Sequence, residues 1–441
     1  MTRNHVTDAY MEAVAAGRMP HDELAKAVRA SGLHEAYYAN GHMPRPLFLS
    51  RAERERLDAD LRGLHGLLTS LPDRLFGGDA GAFAAAVGAQ GPQIDAARAA
   101  GGQATRLSRA DLYTDADGFK LLELNVSGAV GGLENAGLNE GFLGSPHFAA
   151  FAAEHGLAHV DTMAALCATL RDEAPSAGGL VAIVDWPESF PELEAQLRQN
   201  AELMGRHGVE ALACHAGQLE VRAGGVFVGG RRIDVVYRLF LIEDLLRPDG
   251  PALLDPVLAA AARGEVAMFT PIASELYGSK AALALLSDER HRDRLDAAEL
   301  ELVDRVLPWT RMLRPGPVTV DGEREELLQY ARRDRERLVL KATMLHGGAG
   351  FTAGWLAGAD EWDRALRAAE GGPFVLQRRV VPEPELMPDA GGTPRPWVAA
   401  WGAFLTGRGY SGTWVRAAPD LDAGVVAWNT GALSGCVFHE V

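Results

Sequence analysis

Cysteine is nearly absent: Cys167, Cys214 and Cys436 are the only three in 441 residues, far apart and without a Cys-x-x-Cys pair. That spacing excludes a disulfide framework and a cysteine zinc cluster, and it fits buried or incidental thiols in a reducing cytoplasm. Long hydrophobic runs are missing too. Stretches such as Gly179–Val184 fall far short of the ~20 apolar residues that cross a bilayer. Met1–Arg18 mixes Arg3, Asp8 and Glu12 with scattered apolar residues, where a signal peptide needs an apolar block. The expected location is therefore cytoplasmic. Basic residues are in deficit, 43 Lys and Arg against 59 Asp and Glu, for a formal charge of −16. This balance argues against broad nucleic-acid or anionic-membrane binding, but not against a small anionic nucleotide in a locally basic pocket. No Gly-Lys-Ser/Thr closes a P-loop, and no Gly-x-Gly-x-x-Gly opens a helix after a strand. Single cysteines and histidines have no triad context, which argues against a serine, cysteine or zinc hydrolase.

What is present suits an enzyme-sized body. Hydrophobic residues make up 47% of the chain, and a prior of ~150 residues per domain gives about three units. Residues 1–105 read as mainly helical. Ser50-Arg51-Ala52-Glu53 is a capping-box signature, and Leu57, Leu61, Leu64, Leu67 and Leu68 follow one helical face. From Gly178 the pattern turns to α/β: a strand at Leu180–Val184, a helix at Glu192–His207, and strands at Val209–Cys214 and Arg232–Arg238. Asp185, Asp234 and Arg238 either face a ligand at the strand ends or form structural ion pairs. Lys280–Leu302 reads as helical, strands and helices alternate beyond it, and Pro382–Pro396 is the candidate long surface loop.

The chemistry-bearing residues concentrate in a few short segments. Arg109-Ala110-Asp111-Leu112 and Leu121-Leu122-Glu123-Leu124-Asn125 flank Thr114–Gly118, where Asp117-Gly118 is a strong hairpin signal. Glu123 and Asn125, two apart, leave the same face of a strand, so Asp111 on the paired strand would join them. Two carboxylates and an amide make either an ordinary solvated face or an oxygen-only site for a hard cation such as magnesium bridging nucleotide phosphates. Lys341 ends a short strand before His346-Gly347-Gly348-Ala349-Gly350. Such a run is either a flexible surface loop or a backbone cradle for phosphate, with the lysine as a point charge. Pro373-Phe374-Val375-Leu376-Gln377, followed by Arg378-Arg379-Val380-Val381-Pro382, reads as a core strand or as a strand and linker that meets an adenine edge.

In this order the segments resemble the ATP-grasp superfamily, and within it the circularly permuted ligases similar to the glutathionylspermidine synthetase ligase domain. In that group the magnesium carboxylates precede the lysine and glycine segments. The resemblance runs from about Arg109 to the C-terminus. It implies an α/β fold comprising a helical region (1–105), a metal-ligand hairpin and substrate-loop segment (106–177), a doubly wound α/β unit (178–270) and a nucleotide-binding segment (271–441). It implies magnesium ligands Asp111, Glu123 and Asn125, with Arg109 and Arg416 near the transferred phosphate or acyl group. Nucleotide contacts would come from Lys280 in Tyr277–Leu283, from Lys341, from Gly347, Gly348 and Gly350, and from Gln377 with the residues after it. Asn429 lies in the tail motif. The turn Val126-Ser127-Gly128-Ala129 departs from the acidic and prolyl segment of many relatives, so substrate identity does not transfer. The glycine-rich span Gly128–Gly144 is either a substrate loop or a connector.

The expectation is an ATP- and Mg2+-dependent carboxylate–amine ligase acting through an acylphosphate on an amino acid, small peptide or polyamine. The alternatives are an ATP-dependent kinase and a non-catalytic nucleotide-binding regulatory protein. Expected partners are small-molecule carboxylates and amines, without nucleic acid or membrane; self-association stays open.

Overall fold

The computed structural model describes residues 4–30, 37–38, 40–345, 348–419 and 424–441. The architecture is mixed α/β. An eight-stranded sheet runs Leu47–Leu49, Leu433–Glu440, Gly409–Ala418, Pro394–Thr406, Ser108–Asp115, Gly118–Asn125, with Glu385–Pro388 and Leu157–Ala158 pairing off its side. A four-stranded parallel sheet is ordered Ala267–Phe269, Val235–Arg238, Val181–Asp185, Ala211–His215. An antiparallel sheet of Thr310–Met312, Phe374–Arg378, Leu338–Ala342 and Phe351–Ala353 carries Gln377 and Lys341 side by side.

The helix Arg51–Phe76 starts where its capping box places it. Ser50 Oγ accepts from the Glu53 N–H (3.2 Å), and the Glu53 carboxylate accepts from the Ser50 N–H (2.8 Å). Its buried leucines join one core with Leu112, Leu121 and Leu124 of the hairpin, so the longest helix braces the strands that carry Asp111 and Glu123. Burying such a leucine is worth about 1.5–3 kcal/mol, which makes this a strong brace. Cys167, Cys214 and Cys436 are buried free thiols. Among the described residues, no helix is long and apolar enough to cross a membrane.

Several elements differ from the sequence-based expectation for local reasons. The stretch Arg232–Arg238 divides at Asp234: Arg231–Ile233 joins a small three-stranded sheet, and Val235–Arg238 enters the parallel sheet. The Asp234 carboxylate accepts from the Leu180 N–H at 2.9 Å, pinning the chain as it changes sheets. The span Lys280–Leu302 is broken into Lys280–Ser287, a 3-10 turn Glu289–Arg294 and Ala297–Val306. Asp288 and Asp296 each cap the following piece, and Asp296 forms a capping box with Glu299. Within Pro382–Pro396, Glu385–Pro388 pairs with the strand that begins at Pro394, and Asp389 closes the turn by accepting from the Gly391 and Thr393 N–H groups.

Candidate active site

The hairpin register decides what converges. Asp111 lies opposite Glu123 and Arg109 opposite Asn125, so all four side chains leave one face. Two residues, Ala116 and Asp117, separate the strand ends, and Gly118 takes φ +117° after them. The Asp111 carboxylate accepts from Arg109 Nε (2.8 Å) and Nη2 (3.1 Å), and Arg416 Nη2 pairs with the same group at 2.9 Å. Asn125 Nδ2 lies 3.5 Å from Glu123 Oε1, and Lys280 Nζ lies 3.2 Å from Glu123 Oε2. Arg416 is buried, yet its Nε has no hydrogen-bond partner. A buried, unmatched guanidinium N–H on the cleft wall is a position that can take an anionic oxygen.

Lys280 reaches Glu123 because the preceding residue types allow a close approach. Ser279 caps the helix that Lys280 begins, and the Lys280 N–H donates to the Thr343 carbonyl (2.9 Å). A Cβ on Gly278 would fall 2.5 Å from the Leu124 carbonyl oxygen, so glycine is required to lay this turn against the hairpin. Lys341 Nζ donates to Gln377 Oε1 (2.7 Å) and to the Leu122 carbonyl (3.1 Å). Loss of hydration pushes its ammonium down to about 8; Glu123 and Asp111 pull it back up, and Lys280 adds to the drop.

The remaining sequence-derived residues fall as follows. Gln377 is buried, and its amide is committed to Lys341 and to Thr310 Oγ1 (3.2 Å), so the wall beyond it is formed by Arg379 and Val380. Gly348 (φ +84°) lines the cleft. Gly350 (φ +66°) receives the Ala342 N–H on its carbonyl at 3.0 Å. His346 and Gly347 lie outside the described residues. Asp185, Asp234 and Arg238 are engaged internally: Asp185 accepts from Ser189, and the fully buried Arg238 pairs with Glu275 and donates to the Thr270 carbonyl.

These residues surround two clefts that meet. The first lies between the Lys341 sheet and the hairpin and presents five cations, Lys280, Lys341, Arg378, Arg379 and Arg416, against Asp111 and Glu123. The second contains Arg109, Asn125, Ser127, Trp414 and Asn429 and shares Asp111, Glu123, Arg416 and Ala427 with the first. An acidic protein thus holds a cationic recess that opens onto a nearly neutral one.

Three contributors are absent from the motif reading. The Trp414 ring centre lies 5.5 Å from the Arg109 guanidinium and 5.1 Å from that of Arg416, and Gly132 packs so tightly on it that a Cβ would sit 2.5 Å from the ring. Trp355 lies 4.0 Å from the Arg379 guanidinium on the first cleft's wall. The tail segment Gly424–Ala427 covers the same cleft. Their signal was available only as isolated tryptophans and as an apolar Val425-Val426 pair.

No family model matches the chain, and no curated protein sequence matches it. Solved structures do. One is a glutathione synthetase-like effector from Globodera pallida in its apo form, 12% identical, with 96% of each chain covered and a TM-score of 0.54. Another is a protein described as a gamma-glutamylcysteine synthetase from Methylobacillus flagellatus, 11% identical, with 90% of each chain covered and a TM-score of 0.44. The first likeness shows that the chain shares the fold of the effector along nearly its whole length.

Proposed function

We propose that the protein is an ATP-dependent carboxylate–amine ligase of the circularly permuted ATP-grasp type, with the four segments 1–105, 106–177, 178–270 and 271–441 in the roles given above. The single observation that carries this reading is the junction of the two clefts. Asp111, Glu123 and Arg416 belong to both, with Arg109, Lys280 and Lys341 around them. A polyphosphate on one side and a carboxylate on the other would meet there.

Amide formation from a free carboxylate fails at neutral pH because hydroxide is a poor leaving group. In the proposed reaction a carboxylate oxygen attacks the γ-phosphorus of ATP, and the bond to the β-bridging oxygen breaks with its electron pair leaving on ADP. The amine then attacks the acyl carbon and phosphate departs. Lys280 and Lys341 would hold the phosphates of ATP. Arg416, with its unmatched Nε, would face the phosphoryl group as charge shifts, and Arg109 would orient the carboxylate. Phosphoryl transfer needs positioning more than covalent catalysis, so no nucleophilic side chain is required. The oxygen-only set Asp111, Glu123 and Asn125 fits magnesium, which when bound offsets phosphate charge. The reaction would take place in the cytoplasm on small-molecule substrates.

Hydroxylamine tests this reading directly. With ATP, magnesium and pooled carboxylic acids, the wild type is expected to form ADP, phosphate and a hydroxamate in equal amounts. ADP formed without free phosphate or hydroxamate would show transfer to a stable acceptor, as a kinase performs. ATP binding without ADP under every mixture would show a binding protein.

A further inference from the structure

The second cleft has a distribution of charge that restricts its occupant. Its charged groups stand at the end it shares with the nucleotide cleft, where Arg109 and Arg416 already face Asp111, and Lys280 faces Glu123. Away from that end the described lining is neutral: Asn125, Ser127 and Asn429 supply polar atoms, and Ala129, Leu241 and Trp428 the apolar surface. The adjacent parallel sheet adds no free charge from Asp185, Asp234 or Arg238, which are matched internally. Trp428 is 40% exposed, an unusual position for an indole. Its backbone is fixed, since Asn40 Nδ2 donates to the Trp428 carbonyl (2.7 Å) and Gly431 (φ +87°) turns the chain after it. A held backbone with a part-exposed indole in the cleft lining gives a ligand apolar surface to pack against.

Resting on the ligase reading, we infer that this cleft seats the acyl donor and that the donor is a monocarboxylate with an uncharged, apolar body. Its carboxylate lies toward Arg109 and Arg416, and its body lies against Trp428 and Leu241. A polyamine is disfavoured as occupant because it needs carboxylates at intervals along its length, and among the described residues they stand at one end only. A dicarboxylic amino acid would bury its second carboxylate against neutral walls, which is costly without a cation.

The test measures binding of three probes, 3-phenylpropanoate, glutamate and spermidine, by calorimetry on the full chain saturated with AMP-PNP and magnesium. Phenylpropanoate is expected to bind at least about tenfold more tightly than the other two, a difference of about 1.4 kcal/mol. Trp428→Ala should lose about tenfold for phenylpropanoate without a matching loss for AMP-PNP, and Trp428→Phe should restore most of it. Tighter binding of glutamate or spermidine overturns the inference. So does phenylpropanoate binding that is absent from the wild type or unchanged in Trp428→Ala. Failure of the wild type to bind AMP-PNP overturns the ligase reading and this inference with it, so the two failures are told apart by the nucleotide arm.

Discussion

Glu123 stands at the surface of both clefts and fills no core volume, so its removal separates function from folding. Glu123→Ala is expected to unfold cooperatively near the wild-type temperature while ADP formation disappears; a lost unfolding transition with metal dependence intact would refute its role. Lys341 makes a sharper prediction. Its ammonium titrates near 8, so it is charged below that pH and neutral above it. Affinity for AMP-PNP should therefore fall as pH rises through about 8. Lys341→Arg, whose guanidinium stays protonated, should shift that fall to higher pH, while Lys341→Ala should bind the nucleotide roughly 10- to 100-fold more weakly at pH 7. Calorimetry at pH 7 and 9.5 on the three proteins checks all of this. A flat profile in the wild type would remove Lys341 from phosphate binding.

Two short turns hold the site at the level of elements. Gly278 lays the Lys280 helix against the hairpin, and a methyl group there would meet the Leu124 carbonyl at 2.5 Å. Gly278→Ala should cost about 1–3 kcal/mol in denaturant unfolding and raise the KM for ATP, since Lys280 moves with the turn. The turn entering the helix Ala136–Leu143 carries Glu134, whose carboxyl is pushed by burial up to about 7, against backbone N–H groups and Arg109. Because the folded state then holds a proton that the unfolded chain releases near 4.5, stability is full below that value and is lost as pH rises through about 7. Glu134→Gln should therefore raise the unfolding free energy at pH 8 by on the order of 1–3 kcal/mol, and change little at pH 4. An equal effect at both pH values would contradict the buried carboxyl. The existence of the hairpin was legible in the sequence because its information is local, a two-residue turn and a glycine after it; its register was not, because Asp111 faces Glu123 only through the irregularity between Asp111 and Leu112, which skips Leu122. The division at Asp234 was not legible, because it depends on a backbone N–H donated from Leu180, 54 residues away.

At the scale of the whole molecule, the site is assembled from distant parts of the chain. Lys280 and Glu123 meet although they stand 157 positions apart, and Gln377 reaches Lys341 on the wall of the first cleft. Motif reading could name these residues but could not show how they pair, because each pairing is set by sheet order. The same holds for Leu47–Leu49, three residues too few to mark a strand by pattern, which lie parallel to Val437–His439 and tie the helical start of the chain to its end. The ligase reading stands on the cationic cleft joined to the neutral one, and its most direct test is magnesium-dependent release of ADP and phosphate from ATP. Pooled carboxylic acids, amino acids, short peptides and polyamines would be supplied to the wild type and to Glu123→Ala. Release that requires both a carboxylate and an amine, and that vanishes in the variant, is the predicted result. Release that is independent of either co-substrate, or that persists in Glu123→Ala, would contradict it.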